Sequence, residues 1–236
     1  MKMIKGKNNR ILLHVGNEVI DVLSKEGNKF EMVINDASIS IDGNANVLSF
    51  TFDKEEDVVP FFQNKGLNIM VNGNENLAEF GKVGIGWMPD WGMNGLHLII
   101  GNAGPRYVNH TTFRVGNNTF INGATIYLQD DDSHITIGND CMISWGIDIW
   151  CTDAHTIFNE KGEATNQGRF IELGNHVWVG KDVKIGKNVR IADGCIIGWG
   201  SIVTRSCEVS HSMLVGIPAK AVKQGIDWNH MCISRI

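Results

Sequence analysis

Large apolar residues recur at every sixth position from Leu173 to Val215. The first positions of these eight consecutive hexads are all aliphatic: Leu173, Val179, Ile185, Ile191, Ile197, Val203, Val209 and Val215. The fifth positions are small or apolar, apart from the larger Met213, and the second positions are mostly glycine. A helix with 3.6 residues per turn would scatter these side chains around its circumference. The period therefore predicts a three-sided solenoid in which each hexad supplies a short strand and a corner.

The same period is weaker upstream, where Ile137, Ile143 and Ile149 are six residues apart and Val115 pairs with Ile121. Nearer the N-terminus, three segments share Gly-x-x-Asn with an apolar run starting one or two residues later: KGKNNRILL, DGNANVLSF and NGNENLAEF. Their asparagine side chains are expected to bond to one another on successive coils. The segments are unevenly spaced, by 37 and 30 residues. Residues 1–112 are therefore interpreted as irregular early coils of the same solenoid, with a separate β-rich domain as the alternative.

Two departures from the repeat predict further features. The polar stretch 156–170, TIFNEKGEATNQGRF, interrupts the hexads and is expected to project from a corner as a loop. The hexads stop after Lys220, and residues 221–236 are predicted to form a short helix or tail that caps the open end of the solenoid. The predicted organisation is thus β coils over 1–112, a β-helix over 113–220 and a C-terminal helix or tail.

Composition excludes some classes of function. The net charge of -5 and the pI near 5.9 disfavour binding to nucleic acid. No apolar run approaches the roughly 20 residues that cross a bilayer, and the first ten residues lack the apolar region of a signal peptide. These features predict a cytoplasmic protein without a transmembrane segment. The five cysteines form no CxxC pair and are interpreted as reduced core residues.

The run from His176 to Lys223 resembles the hexapeptide-repeat acyltransferases. It contains IIGWGSIVTRS, where that family has a G-x-G-[SA]-V-V-T-[KR] pattern, and VGIPAK, where it has a G-[NVI]-P-A-[KR] signature. The segment CTDAHTIF, followed by a loop and GNHVWVG, is similar to the sugar O-acetyltransferases of bacterial capsule and O-antigen synthesis, among them the polysialic acid O-acetyltransferases. The resemblance implies an all-β fold, a left-handed parallel β-helix. It also implies a homotrimer that binds acetyl-CoA between its subunits and transfers acetyl to a sugar hydroxyl.

His155 matches the Asp-x-His motif of that family and is predicted to be the catalytic base. An alcohol is a poor nucleophile until its proton is being removed, and histidine titrates near neutrality. Without the motif, a surface histidine at a corner would be the more ordinary interpretation. Asp153, two residues earlier, could orient the imidazole or could instead bond to the backbone where the loop starts.

Four tryptophans are candidates for the same site. Trp178 is predicted to point outward and to donate its indole N–H near the reacting groups, as the resemblance also implies; cover by the loop or by another subunit is the alternative. Trp150 and Trp145 are candidates for stacking on the sugar. Trp199 replaces a residue that is usually small in the family and is predicted to contact the pantetheine arm or a subunit seam.

The remaining predicted contacts concern the cofactor. Gly180 and Gly198 are expected to offer backbone contacts to its arm. Arg205, with Thr204 beside it, and Lys220 match basic positions of the family that meet the phosphates of CoA; two solvated surface charges are the alternative.

Three other functions can be weighed against sugar O-acetylation. An N-acetyltransferase for a nucleotide-linked amino sugar would share the donor site. A γ-type carbonic anhydrase would need two histidines five residues apart, and no pair of the eight histidines has that spacing, so no metal site is predicted. A non-catalytic solenoid would not need basic residues at positions that match a CoA site.

Overall fold

The computed structural model describes residues 3–24, 30–101 and 107–231. Two short helices, α1 (Glu31–Asp36) and α2 (Val58–Phe62), lie in the N-terminal part. The strands are β1 (Met3–Lys5), β2 (Arg10–Val15), β3 (Glu18–Asp21), β4 (Ser38–Asp42), β5 (Val47–Phe52), β6 (Leu67–Asn74), β7 (Leu77–Phe80), β8 (Val83–Ile85), β9 (Gly95–Ile100), β10 (Val108–Asn109), β11 (Thr112–Val115), β12 (Thr119–Ile121), β13 (Gly123–Leu128), β14 (His134–Ile137), β15 (Met142–Ile143), β16 (Ile147–Trp150), β17 (Phe170–Leu173), β18 (Trp178–Val179), β19 (Lys184–Gly186), β20 (Val189–Ile191), β21 (Ile196–Ile197), β22 (Ile202–Val203), β23 (Ser212–Gly216) and β24 (Ala219–Gln224).

These strands form three long sheets, of which the first and second begin at the N-terminus and the third begins at β8. The first sheet has the order β1-β4-β6-β9-β13-β16-β19-β22, and β10 also pairs with β6. The second sheet has the order β3-β2-β5-β7-β11-β14-β17-β20, and the third β8-β12-β15-β18-β21-β23-β24. All pairs are parallel except the hairpins β2–β3 and β23–β24. From β6 to β21 the chain thus passes from first to second to third sheet in each coil, which is the predicted left-handed parallel β-helix.

The hexads of the C-terminal half fill the interior as the period predicts, up to Val203. The first positions from Leu173 to Val203 are buried, and so are the fifth positions from Val177 to Cys207. The prediction is wrong for the last two hexads. Val209 is 52% exposed, and Leu214 rather than Val215 lies beside Ile197 in the third sheet. The register therefore slips by one residue, and Leu214 takes the interior position.

Four of the five cysteines are free and buried, as expected for core residues: Cys141, Cys151, Cys195 and Cys207. Burial raises the pKa of the Cys141 thiol to about 11 and that of Cys151 to about 12, so both remain protonated at neutral pH. Cys232 lies outside the described residues.

The asparagines of the three N-terminal echoes form the predicted ladder. The Asn46 side-chain amide donates to Asn9 Oδ1 at 3.1 Å, and that of Asn76 donates to Asn46 Oδ1 at 3.0 Å. Asn46 and Asn76 are buried, and Thr111 extends the ladder by donating its hydroxyl to Asn76 Oδ1. The first and second sheets also continue across residue 112, from β1 and β2 onward. These strands therefore stack on the same coils, while the division of the chain into domains stays a prediction.

The two interruptions of the repeat differ from each other. Residues 151–169 leave the coil between β16 and β17 and form a projecting hairpin, bridged by Phe158 and Ala164, as predicted for 156–170. The predicted C-terminal helix is wrong for the described residues, because 219–224 form β24, which turns back antiparallel on β23. The antiparallel strand satisfies backbone groups at the sheet edge that a helix would leave open. Neither helix in the described part of the chain is long or apolar enough to span a bilayer.

Candidate active site

His155 lies where the first sheet gives way to the second, at the base of the projecting hairpin. β16 ends at Trp150, and the exposed His155 follows five residues later. The imidazole forms one wall of an open cleft of about 480 Å³, whose other walls include Gln129, Thr152 and Asn166. No hydrogen bond to the imidazole is formed within the described residues. Both ring nitrogens are therefore available to a bound molecule.

The backbone beside His155 is held by an asparagine of the returning arm of the hairpin. The Asn166 side-chain amide donates to the His155 carbonyl and to Asp153 Oδ2, each at 2.8 Å. Its own Oδ1 accepts from the backbone N–H of Ile157 at 2.8 Å. The Asn166 side chain thus bonds to three residues of the hairpin and fixes the backbone position from which the imidazole projects.

Asp153 is engaged by groups other than the imidazole. Its carboxylate forms an ion pair with Lys187, at the equivalent corner of the next coil, and accepts from Asn166. The hydrogen bond from the Lys187 ammonium, followed by that from Asn166, lowers the pKa of Asp153 below its ordinary value. Asp153 therefore anchors the loop to the coil, while an orienting role toward His155 stays a prediction.

Asp130 fixes the other side of the cleft. Its Oδ2 accepts from the backbone N–H of Gly168 at 2.7 Å, and its Oδ1 accepts from the Thr152 hydroxyl at 3.3 Å. The start and the end of the hairpin are thus bonded to one carboxylate. The cleft around His155 is therefore built from a rigid base rather than from a free loop.

Trp178 lies on the third sheet, in β18, and its side chain points outward with 36% exposed. Within the chain, the C-terminal tail rather than the loop lies beside it, because the Trp228 ring is 5.9 Å from the Trp178 ring. Cover by another subunit stays a prediction. Trp228 is itself fixed by stacking on His176 at 4.4 Å and by donating its indole N–H to the His176 carbonyl at 2.9 Å. Among the described residues, the Trp178 indole N–H has no acceptor and is free to donate.

The other two sugar-stacking candidates lie apart from each other. Trp150 is on the outer face of the first sheet, with its ring 4.5 Å from that of Tyr127 on the next strand. Trp145 lies at the opposite edge of that sheet, in a groove at the corner where the third sheet gives way to the first. Only Trp150 is on the His155 side.

The backbone N–H groups of Gly180 and Gly198, predicted to contact the cofactor, are already hydrogen-bonded within the coil. The Gly180 N–H donates to the Ile197 carbonyl at 2.8 Å, and the Gly198 N–H donates to the Leu214 carbonyl at 2.7 Å. Both amides are therefore used by the ladder between coils and cannot donate to a cofactor. A side chain at Gly198 would come within 2.6 Å of Val215 Cγ1, so close stacking of coils accounts for this glycine.

The predicted cofactor residues fall on three parts of the coil. Trp199 is 72% exposed at the third-to-first corner, where its N–H donates to Asp182 Oδ2 at 3.2 Å and Lys181 lies over its ring. Thr204 and Arg205 are exposed at the first-to-second corner, two coils beyond His155, whereas Lys220 is exposed on β24 of the third sheet. Arg205 and Lys220 pair with no acid within the described residues. The single chain therefore does not gather these residues into one pocket.

The candidate residues divide into two groups on different faces of the coil. The first-to-second corner carries His155 and Arg205, while the third sheet carries Trp178 and Lys220. In a three-sided coil a corner points away from the opposite sheet, so the two groups of one chain face different directions. Asn166 and Lys187 were missed by sequence reasoning, because only the folded hairpin brings them to His155 and Asp153. No group of three or more potential metal ligands occurs in residues 3–24, 30–101 and 107–231.

Comparison with known proteins agrees with the fold. Residues 171–211 match the family model "Bacterial transferase hexapeptide (six repeats)". No curated protein matches the sequence. The crystal structure of the polysialic-acid-specific acetyltransferase NeuO aligns with a TM-score of 0.63 at 23% identity, covering 100% of this chain and 91% of that one. The polysialic acid O-acetyltransferase OatWY aligns with a TM-score of 0.63 at 22% identity, covering 100% and 96%. The chain is thus a β-helix whose C-terminal coils carry the hexapeptide repeat of the bacterial transferases.

Proposed function

We propose that the protein transfers an acetyl group from acetyl-CoA to a sugar hydroxyl of a bacterial surface polysaccharide or its precursor. The observation that carries this proposal is the unpartnered imidazole of His155 at the wall of an open cleft, with its backbone held by Asn166. The two structures named above share the fold, and their names describe acetylation of polysialic acid.

The reaction asks three things of the site. His155 removes the proton of the acceptor hydroxyl as its oxygen attacks the thioester carbonyl carbon. The oxygen of the resulting tetrahedral intermediate needs a donor, and the free Trp178 N–H is suited to that role. Collapse of the intermediate breaks the C–S bond, and the proton on His155 passes to the departing thiolate of CoA.

His155 and Trp178 can act together only if another copy of the chain supplies one of them, because they face different directions in a single chain. A trimer with parallel axes would bring the corner of one subunit to the third sheet of its neighbour. The two unpaired cations are placed in the same way: Arg205 lies at the corner that carries His155, and Lys220 lies on the sheet that carries Trp178. Both would then border one groove and could meet the phosphates of CoA.

The direct test is acceptor-dependent release of CoA thiol, measured with acetyl-CoA and a panel of bacterial oligosaccharides. His155→Ala should lower turnover by about 10²- to 10⁴-fold, the usual contribution of a general base. His110→Ala is the matched control, because His110 is also an exposed corner histidine but is bonded to Glu75 and Asp132 in the N-terminal coils. Equal turnover by wild type and His155→Ala would remove His155 from the reaction, and amino-sugar acceptors in the same panel separate O- from N-transfer.

A further inference from the structure

A second concave surface lies at the third-to-first corner, on the opposite edge of the first sheet from His155. It is a groove of about 730 Å³, larger than the His155 cleft. Its outer wall is the connection between β8 and β9, residues 86–94, which leaves the coil with the sequence GWMPDWGMN. The proposed acetyl transfer does not use this connection.

The walls of the groove are tryptophan rings. Trp87 and Trp91 belong to the connection and are 39% and 72% exposed, and Trp145 faces them from the coil that carries β16. Glycines leave the space that these rings occupy. A side chain at Gly66 would lie 3.1 Å from the Trp87 ring, and one at Gly92 would lie 3.1 Å from the Trp145 ring. The local sequence is thus shaped to hold large flat apolar surfaces open to solvent.

The connection is closed by its own backbone hydrogen bonds. The backbone N–H groups of Met88 and Met93 each donate to the other's carbonyl, at 2.9 and 3.1 Å. The Trp91 N–H donates to the Met88 carbonyl at 3.0 Å, which fixes the tip of the turn. A wall that is already ordered loses little conformational entropy on binding.

The floor of the groove is polar. Asn68, His97 and Thr125 are outward-facing residues at matched positions on β6, β9 and β13. They follow one another at the strand spacing of about 4.8 Å, so that they present a row of hydrogen-bonding groups. Apolar walls with a few convergent polar groups are typical of small-molecule sites. Flat rings over a row of amide, imidazole and hydroxyl groups suit a sugar, which has an apolar ring face and hydroxyls at its edge.

The lysines in the groove are already paired with carboxylates. Lys181 pairs with Asp182 at 2.6 Å, and Lys184 pairs with Asp148 at 2.5 Å. Each lysine of the lining is thus neutralised by an adjacent carboxylate. A carboxylated or phosphorylated sugar would find no unpaired lysine or arginine there.

We propose that the groove formed by Trp87, Trp91 and Trp145 is a binding site for uncharged pyranose units of a glycan. It lies on the opposite edge of the first sheet from His155 and holds the glycan by stacking on the rings, while the floor bonds to its hydroxyls. Binding at this site does not require acetyl-CoA, so it stands or falls independently of the proposed transfer reaction.

The test is binding of the purified full-length chain, without acetyl-CoA, to an array that carries neutral and sialylated bacterial oligosaccharides. The wild type should bind neutral members, and Trp91→Ala should weaken that binding by about tenfold or more, as removal of an aromatic anchor usually does. Trp91→Phe should keep most of the binding. Phe120→Ala removes an aromatic side chain that is 50% exposed on the third sheet and should leave binding unchanged.

Each result decides the proposal. Retention of neutral glycans that depends on Trp91 and not on Phe120 supports it. Binding restricted to sialylated members, no binding to any neutral member, or equal binding by wild type and Trp91→Ala overturns it. Because Trp91 is largely exposed, its replacement should leave the thermal unfolding temperature unchanged, and that measurement separates loss of the ring from loss of the fold.

Discussion

The N-terminal and C-terminal coils share one backbone ladder but fill their interiors with different side chains. In the N-terminal coils the rings of Phe50 and Phe80 stack nearly parallel, with their centroids 4.7 Å apart, and the Phe113 ring lies 5.4 Å from that of Phe80. These coils also bury asparagines. The C-terminal coils pack valine, isoleucine and cysteine, and their asparagine ladder, which joins Asn139 to Asn175, lies at an exposed corner. Aromatic stacking and buried amides hold the N-terminal coils to one another. In the C-terminal coils, each hexad instead buries a small aliphatic or cysteine side chain, so the stabilisation is spread evenly over the hexads.

This difference follows from a strand that the second coil lacks. The second coil has α2 where later coils have a strand of the third sheet, so part of its ladder is missing. Phe62 of α2 packs edge-on against Phe50 at 4.9 Å and closes that side. The three coils from β13 to β21 have a strand in all three sheets and need no such plug. The stability of the irregular coils therefore depends on a few large side chains, whereas that of the regular coils is spread over many similar small ones.

The largest expected effect is that of Phe80→Ala. Phe80 is buried between two other phenylalanines, so its removal should lower the free energy of unfolding by about 3–5 kcal/mol. Chemical denaturation followed by circular dichroism measures this loss. Phe80→Leu, which keeps most of the volume, should lose much less. A loss below about 1 kcal/mol for the alanine variant would show that the stack does not hold the N-terminal coils together.

A smaller effect is expected from the two asparagine ladders. Asn76→Ala leaves the buried N–H of Thr111 and the buried carbonyl of Val108 without their partner, which should cost about 2–3 kcal/mol. Asn139→Ala breaks an exposed ladder, where water replaces the lost bonds, and should cost less than about 1 kcal/mol. Equal losses in matched denaturation curves would contradict the distinction between buried and exposed ladders.

The smallest effect concerns the ion pair at the His155 corner. Hydrogen bonds from Lys187 and Asn166 lower the pKa of Asp153 in the folded protein. The stabilisation that these bonds give to the fold is therefore fully present above the ordinary pKa of 3.8 and is lost as the pH falls through the lower pKa of the folded state. Solvent screens this exposed pair, and only local loosening is expected. The side-chain amide signal of Asn166 in NMR spectra should shift in that acidic range. In Asp153→Asn that shift should be absent, and its persistence would assign the titration to another group.

The fold could be predicted where the sequence repeats without interruption. Six of the eight hexads lie as the period requires, and the echoes around Asn9, Asn46 and Asn76 predicted their ladder despite uneven spacing. The slip at Leu214 and the hairpin of β24 could not be predicted, since both depend on how the last coil ends against solvent.

The site was harder to predict than the coil. His155 is a candidate from its motif and Trp178 from its outward position and the family resemblance, but their positions on different faces emerge only when the strands are assigned to sheets. Trp87 and Trp91 lie in a connection without a repeat, so no period draws attention to them. They can be noticed only as two tryptophans of a nine-residue stretch that also holds glycine and proline.

The central claim is that His155 of one copy works with Trp178 of another. Co-expression of His155→Ala with Trp178→Ala tests it, because each variant alone lacks one half of every site. If the sites form between subunits of a trimer, random mixing should restore about a quarter of the wild-type rate of CoA release, since about one interface in four joins an intact His155 to an intact Trp178. Mixed assemblies no more active than either variant alone would contradict a site shared between copies.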